Sequence, residues 1–245
     1  MGKIYVVGLG PGDEEFMTLS AKAALDKSDV IIGYKVYINL IKDRYANKEL
    51  LTTLMKQEVE RCELCLERAL KGDTVSLVCS GDSGVYGMAS LMLEVAANHP
   101  EIDIEVVAGI TAALSGGAVL GAPLSHDFCV ISLSDLLTPW ELIETRLRCA
   151  AEGDFAIAIY NPSSNKRADY LMRACDILLE YIESQRPCGY VENIGRDEES
   201  YTICTLRELR DAKVNMFTTV FVGNSMTRLI NDRLVTPRGY RNVNS

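Results

Sequence analysis

Lys3-Ile4-Tyr5-Val6-Val7-Gly8-Leu9-Gly10-Pro11-Gly12-Asp13-Glu14-Glu15 is the stretch from which the fold can be read. A run rich in β-branched and aromatic residues enters a glycine turn, which predicts a strand over residues 3–7 and a loop at its end. The following segments alternate in period. Apolar residues recur at helical spacing over 19–27, 37–45, 59–70, 85–97 and 111–120. Short apolar runs at 30–32, 74–79 and 102–107 predict strands between them. Strand and helix in alternation define an α/β chain with a largely parallel sheet.

The pattern changes near residues 121–126. Strands are expected at 127–134, 155–160, 189–193, 201–205 and 218–223, and helices at 168–183 and 206–212. A further helix over 139–150 should start with Thr138 as N-cap and Pro139 in the first position. The expectation is two α/β domains, 1–121 and 122–245, with mixed, largely parallel sheets.

Composition narrows the function. The 245 residues carry a formal net charge of -9 and no block of Lys or Arg, which argues against a nucleic-acid partner. Basic residues change type along the chain: 8 Lys and 3 Arg up to residue 124, then 2 Lys and 12 Arg. Arg forks match carboxylates, so the second half suits either a carboxylated ligand or surface ion pairs. The uncharged run between Glu105 and Asp127 is broken by glycines and Pro123, and reads as a buried strand and helix rather than a membrane span. The N-terminus reads as a strand rather than a secretory leader. Eight cysteines scattered through apolar patterns fit a reducing cytoplasm. Cys62-Glu63-Leu64-Cys65 lies in a helical pattern with no second pair, so no metal site is expected.

Three glycine-bearing turns stand at strand ends. Gly8-Leu9-Gly10-Pro11-Gly12-Asp13 lacks the third glycine of a dinucleotide fingerprint, and its acidic ending would repel a pyrophosphate. Cys79-Ser80-Gly81-Asp82-Ser83-Gly84-Val85-Tyr86-Gly87 offers Asp82 either to a ribose or amine or as a helix cap. Its Gly-Asp-Ser-Gly also allows a hydrolase reading through Ser83, although Val85 stands where a nucleophile elbow needs glycine. Gly109-Ile110-Thr111-Ala112 is the third turn. The stretch from Ser125-His126-Asp127 to Ser132-Leu133-Ser134-Asp135 and Thr138 is dense in groups that move protons, with His126 the first choice as acid or base.

Together these turns resemble the tetrapyrrole methyltransferases, which use S-adenosylmethionine (SAM). Tyr160-Asn161-Pro162-Ser163-Ser164, Asn193-Ile194-Gly195-Arg196, Val222-Gly223-Asn224-Ser225 and Thr236-Pro237-Arg238-Gly239-Tyr240 extend the likeness across the chain. Within the family it is similar to the cobalamin-pathway branch that methylates carbon 17 with ring contraction. The resemblance implies the tetrapyrrole methylase fold, a cleft between two domains, a homodimer, and release of S-adenosylhomocysteine. It implies SAM contacts from Pro11, Gly81, Asp82, Val85, Thr111 and Ala112, with Tyr160, Asn161, Asn193 and Asn224 added by the second domain. Gly10, Asp13, Arg167, Arg196 and Arg238 are expected toward the macrocycle, and His126, Asp127 and Ser132 as the catalytic set. A SAM methyltransferase of the same fold that acts on another precorrin position is the stronger alternative, and a non-catalytic nucleotide-binding module the more distant one.

Overall fold

The computed structural model describes residues 2–164 and 167–240. It divides into two compact units, 1–111 and 112–245. The first holds β1 (Lys3–Gly8), α1 (Leu19–Lys27), β2 (Val30–Tyr34), α2 (Lys35–Ile41), β3 (Glu49–Thr53), α3 (Glu58–Leu70), β4 (Thr74–Cys79), α4 (Ala89–Val95) and β5 (Asp103–Val107). Its sheet has the order β3-β2-β4-β1-β5, and every pairing is parallel.

Strand periodicity explains the burial. Ile4 and Val6 of β1 point to one face, where Cys62, Cys65 and Leu66 of α3 and Met92 of α4 cover them. Tyr5 and Val7 point to the other, against Leu25 of α1 and Ile38 of α2. Burial on both faces is why the inner strands β1, β2 and β4 are almost wholly apolar. Each large side chain so buried stabilises the unit by ~1.5–3 kcal/mol.

The second unit holds α5 (Ala112–Leu120), β6 (Gly121–Ala122), β7 (Phe128–Ser132), α6 (Trp140–Glu152), β8 (Ala156–Tyr160), α7 (Tyr170–Leu178), β9 (Pro187–Glu192), β10 (Ser200–Thr205), α8 (Leu206–Arg210), β11 (Thr218–Val222), β12 (Arg228–Ile230) and β13 (Arg233–Val235). Its main sheet runs β10-β9-β11-β8-β7. Only β7–β8 is parallel there; β8–β11, β11–β9 and β9–β10 are antiparallel. Ile157 and Ile159 of β8 face α6 and α7, while Ala158 and Tyr160 face α5. A small sheet, β12-β13-β6, completes the unit.

The division falls after Thr111, ten residues before the expected boundary at 121. α5 explains the shift, because it packs on the second sheet. Gly116 lies so close to Ile194 and Phe221 that an added Cβ would sit 2.8 Å from the Ile194 side chain. Two further expectations move. The helix over 85–97 shrinks to α4, because residues 83–88 form a looped turn. Pro139 is itself the cap residue of α6, with no side-chain cap bond, so Thr138 does not serve as N-cap.

Cys62 and Cys65 are fully buried in the core of the first unit. Burial pushes the Cys62 thiol to about 12 and that of Cys65 higher still. The same cause raises Cys79, Cys129 and Cys204 to about 11 and Cys175 to about 12. Cys149 alone is exposed. Native protein treated with a thiol reagent at pH 8 should therefore label one cysteine rapidly and the others only on unfolding, and Cys149→Ser should remove the rapid phase. Among the described residues no group of three or more His, Cys, Asp or Glu is placed to hold a metal, and no helix is long and apolar enough to cross a membrane.

Candidate active site

The three glycine turns of the first unit meet at the carboxyl ends of β1, β4 and β5. Parallel strands bring these ends to one edge, where open α/β sheets bind ligands. The backbones touch directly. Gly10 and Gly81 exchange two amide bonds of 3.0 and 2.7 Å, and the Leu9 amide donates to the Cys79 carbonyl. A Cβ on Gly8 would lie 2.6 Å from the Gly81 carbonyl oxygen and 2.8 Å from the Gly109 nitrogen. One on Gly109 would strike the Gly81 oxygen and sit 2.6 Å from that of Gly8. Gly8 and Gly109 are thus required by the backbone that crosses them, and Gly81 is favoured by its φ of 66°.

Asp82 locks this junction. Its Oδ1 accepts the amides of Gly84 at 2.8 Å and Val85 at 3.1 Å, and its Oδ2 accepts the Gly109 amide at 2.9 Å. It does not cap α4, whose first residue is Ala89. Ser83 is fully buried and donates its hydroxyl to the Val107 carbonyl at 3.0 Å, which removes it as an exposed nucleophile. Pro11 is buried beside the junction, while Val85 and Thr111 are half-buried at its rim. The Asp13 carboxylate accepts the Glu14 amide and ends the first turn.

Antiparallel pairing sorts the candidates of the second unit between two edges. Strands β7, β8 and β9 end at one edge, where β11 begins. This edge carries Ser132, Tyr160, Asn161 and Asn193. The Tyr160 hydroxyl accepts the Ala113 amide at 2.6 Å, which fixes Ala112 and the start of α5 beside it. Asn161 and Asn193 turn the chain in left-handed conformations, with φ of 53° and 52°, that asparagine tolerates. Arg196 lies 5.1 Å over the Phe217 ring at this edge.

The opposite edge holds His126, Asp127 and Asn224. His126 and Asp127 precede β7, whereas Ser132 ends it, and five strand residues separate them by ~17 Å. The expected trio of His126, Asp127 and Ser132 therefore does not assemble. The His126 Nδ1 accepts its neighbour's amide at 2.8 Å and sits 3.7 Å from the Asp127 carboxylate, a local and solvent-facing pair. Asn224 is buried at the far end of β11, where its Oδ1 accepts from Met226 and Thr227. Thr227 joins Thr236, which donates to the Pro123 carbonyl. Asn224 thus ties the small sheet to β11, away from Tyr160 and Asn193.

Ser132 belongs to a larger cluster. Its Oγ accepts the Asn161 side-chain amide at 2.9 Å and the Ser134 backbone amide at 3.2 Å. Arg167 reaches Ser134 at 2.9 Å and Asp135 at 3.2 Å, and Tyr170 donates to Asp135 at 2.6 Å. The Tyr170 hydroxyl, with Arg167 nearby, holds the Asp135 carboxyl below its usual range; the same bond raises Tyr170. Sequence reasoning missed Tyr170, which lies 35 residues from Asp135 and carries no motif. Arg167 is committed to its own chain's Asp135, unlike exposed Arg238. Much of the arginine of the second half serves ion pairs of this kind, as in Arg186–Glu183 and Arg210–Asp176.

Comparison with known proteins places this arrangement. The model of the Tetrapyrrole (Corrin/Porphyrin) Methylases matches residues 3–210. A Salmonella typhimurium protein named probable cobalt-factor III C(17)-methyltransferase is 42% identical over 97% of this chain and 99% of its own length. The cobalt-factor III methyltransferase of Priestia megaterium is 44% identical over 98% of this chain, which spans only 45% of that longer protein. The crystal structure of the methyltransferase CobJ is 41% identical with a TM-score of 0.90, covering 97% of this chain and 100% of its own. A Thermus thermophilus uroporphyrin-III C-methyl transferase, complexed with S-adenyl homocysteine, shares the fold at 23% identity and a TM-score of 0.72, over 91% of this chain and 97% of that one. The chain belongs to the tetrapyrrole (corrin/porphyrin) methylases. It is a methyltransferase of that family.

Proposed function

We propose that this protein transfers a methyl group from SAM to carbon 17 of a precorrin-3B or cobalt-factor III macrocycle, with contraction of the ring, in cobalamin biosynthesis. The observation that carries the reading is the match over nearly the full length of both chains to a relative named for C(17) methylation. A homodimer in the cytoplasm completes the proposal.

The loop junction fits SAM better than a nucleotide phosphate. A phosphate site needs free backbone amides. Here the amides of Gly10, Gly81, Gly84, Val85 and Gly109 are all bonded within the chain. Pro11, Gly81, Val85 and Thr111 would hold SAM at the first unit, and Ala112, Tyr160, Asn161 and Asn193 at the second. Asp82 acts behind them by holding three amides of two of the turns. Bound SAM supplies an electrophilic methyl group on a sulfonium. The chain's task is alignment, which is worth up to ~7–11 kcal/mol when reacting atoms are held in line. Gly10, Asp13, Arg196 and Arg238 are proposed toward the macrocycle, with the two arginines for its carboxylates. Contraction also requires a group that holds a substrate oxygen in its correct protonation state. Ser132 suits this, because its Oγ already accepts two N–H bonds and its own proton is left to donate outward.

Calorimetry tests the cofactor. SAM and S-adenosylhomocysteine should bind and NAD should not; NAD binding without SAM binding would overturn the proposal.

A further inference from the structure

Arg173 lies one turn into α7, on the face that carries Tyr170. Its guanidinium stands 4.0 Å from the centre of the Trp140 ring and 5.2 Å from that of Tyr170, and the two rings are 4.4 Å apart. Stacking of this kind fixes the plane of the fork. The fork is not spent. Among the described residues its guanidinium donates no hydrogen bond, and its one ion pair, with Glu144, is 3.9 Å long. Glu144 is engaged elsewhere: its Oε1 accepts the Trp140 Nε1–H at 2.5 Å, and its Oε2 lies 3.6 Å from Arg148. Asp135, the carboxylate bonded to Tyr170, is also held by Arg167. A guanidinium laid flat on aromatic rings, with its donors unfilled, suits a carboxylate from outside the chain.

The loop from β7 to α6, which ends at Trp140, carries a second signal. Leu136 and Leu137 are 63% and 98% exposed. Single exposed leucines are common, but this pair stands in a loop that is held in place. The Leu133 amide donates to the Tyr160 carbonyl, Ser134 donates to Ser132, and Asp135 accepts from Arg167 and Tyr170. The loop thus presents two apolar side chains beside the Ser132 cluster. We infer that Arg173, Leu136 and Leu137 are positioning residues for the macrocycle: the leucines lie against its ring and the Arg173 fork takes one of its carboxylates. This rests on the methyltransferase reading above. A ligand that is apolar across its face and anionic at its rim matches a patch that is apolar at the loop and cationic beside it.

The test uses variants of the full chain, with thermal unfolding, SAM calorimetry, titration of precorrin-3B or cobalt-factor III by visible absorbance at several salt concentrations, and KM and kcat for methyl transfer. Arg173→Gln and Leu137→Ser should each unfold close to the wild-type temperature and bind SAM within about twofold of wild type. Each should raise Kd and KM for the macrocycle about tenfold, while kcat falls less than about threefold. The Kd of Arg173→Gln should also rise less steeply with salt than that of wild type, because the attraction that salt screens is gone. Arg173→Lys, which keeps the charge without the fork, should bind between the two and keep the wild-type salt slope. An unchanged macrocycle Kd in Arg173→Gln or Leu137→Ser overturns the inference. So does a loss in Arg173→Gln that keeps the wild-type salt slope or is matched by an equal loss of SAM affinity, since either marks a structural role. A Leu137→Ser chain that binds the macrocycle normally but changes its oligomeric state puts a second copy on the leucines and overturns it too. An active wild type with unaffected variants leaves the proposed function standing. A wild type that binds SAM but neither methylates nor binds either macrocycle overturns both.

Discussion

Asp82→Ala should loosen the protein and lose SAM binding together. The carboxylate accepts three backbone amides from two different turns, and the substitution leaves all three without that acceptor. A hydrogen bond to a charged group contributes ~1.5–3 kcal/mol, and bonds within one network do not add. A loss of about 3 kcal/mol in stability is expected. Affinity for SAM should fall by at least tenfold even at temperatures where the variant stays folded, because the turns beside Val85 and Thr111 are no longer held. Asp82→Asn provides the control. Its carbonyl can still accept from Gly84 and Val85, but its NH2 then meets the Gly109 amide donor to donor. It should fall between wild type and alanine in both measurements. A variant with full stability and weakened SAM binding would instead make Asp82 a direct ligand contact.

Ser132→Ala should slow ring contraction by ~10²–10³, the usual loss when one preorganised donor to a developing oxyanion is removed. SAM affinity should fall only slightly, since the variant frees only one side chain, that of Asn161, while Arg167 still ties Ser134 to the Asp135–Tyr170 pair. His126→Ala should leave contraction within threefold of wild type. Its ring sits at the other end of β7, bonded to its own neighbour. Single-turnover chromatography of the macrocycle, with methylated and contracted products resolved, measures both variants. Contraction lost in His126→Ala and retained in Ser132→Ala would reverse the assignment.

The sequence carried the local elements well where period and length agree. β4 and α1 fall at the expected residues because an apolar strand buried on both faces and a Thr-capped helix both leave clear patterns. β3 was missed because it is an edge strand of mixed polarity, Glu49-Leu50-Leu51-Thr52-Thr53. The hairpin of β12 and β13 was also missed, although Asn231-Asp232 was a usable signal. Both residues take positive φ, as a two-residue hairpin turn requires. The three turns of the first unit were legible in the sequence, but the use of Asp82 to join two of them was not. Its partner Gly109 lies 27 residues away, and only the parallel sheet brings them together.

The catalytic stretch failed for a simpler reason. A run of proton-moving residues that crosses a strand is divided by it, and residues five apart in an extended chain cannot converge on one atom. Asn224 shows the same effect through strand direction. β11 runs against β8 and β9, so the end of β11 is the far edge of the sheet.

The most direct measurement of the central claim is the position of the transferred carbon. Protein incubated with SAM labelled with carbon-13 in its methyl group, and with precorrin-3B or cobalt-factor III, should yield product whose new carbon-13 resonance correlates with ring carbon 17. Product mass should rise by one carbon-13 methylene, because the methyl group enters as a proton leaves. A label on any other ring carbon, or no labelled product from either macrocycle in a protein that binds SAM, would contradict the assignment to C(17) methylation.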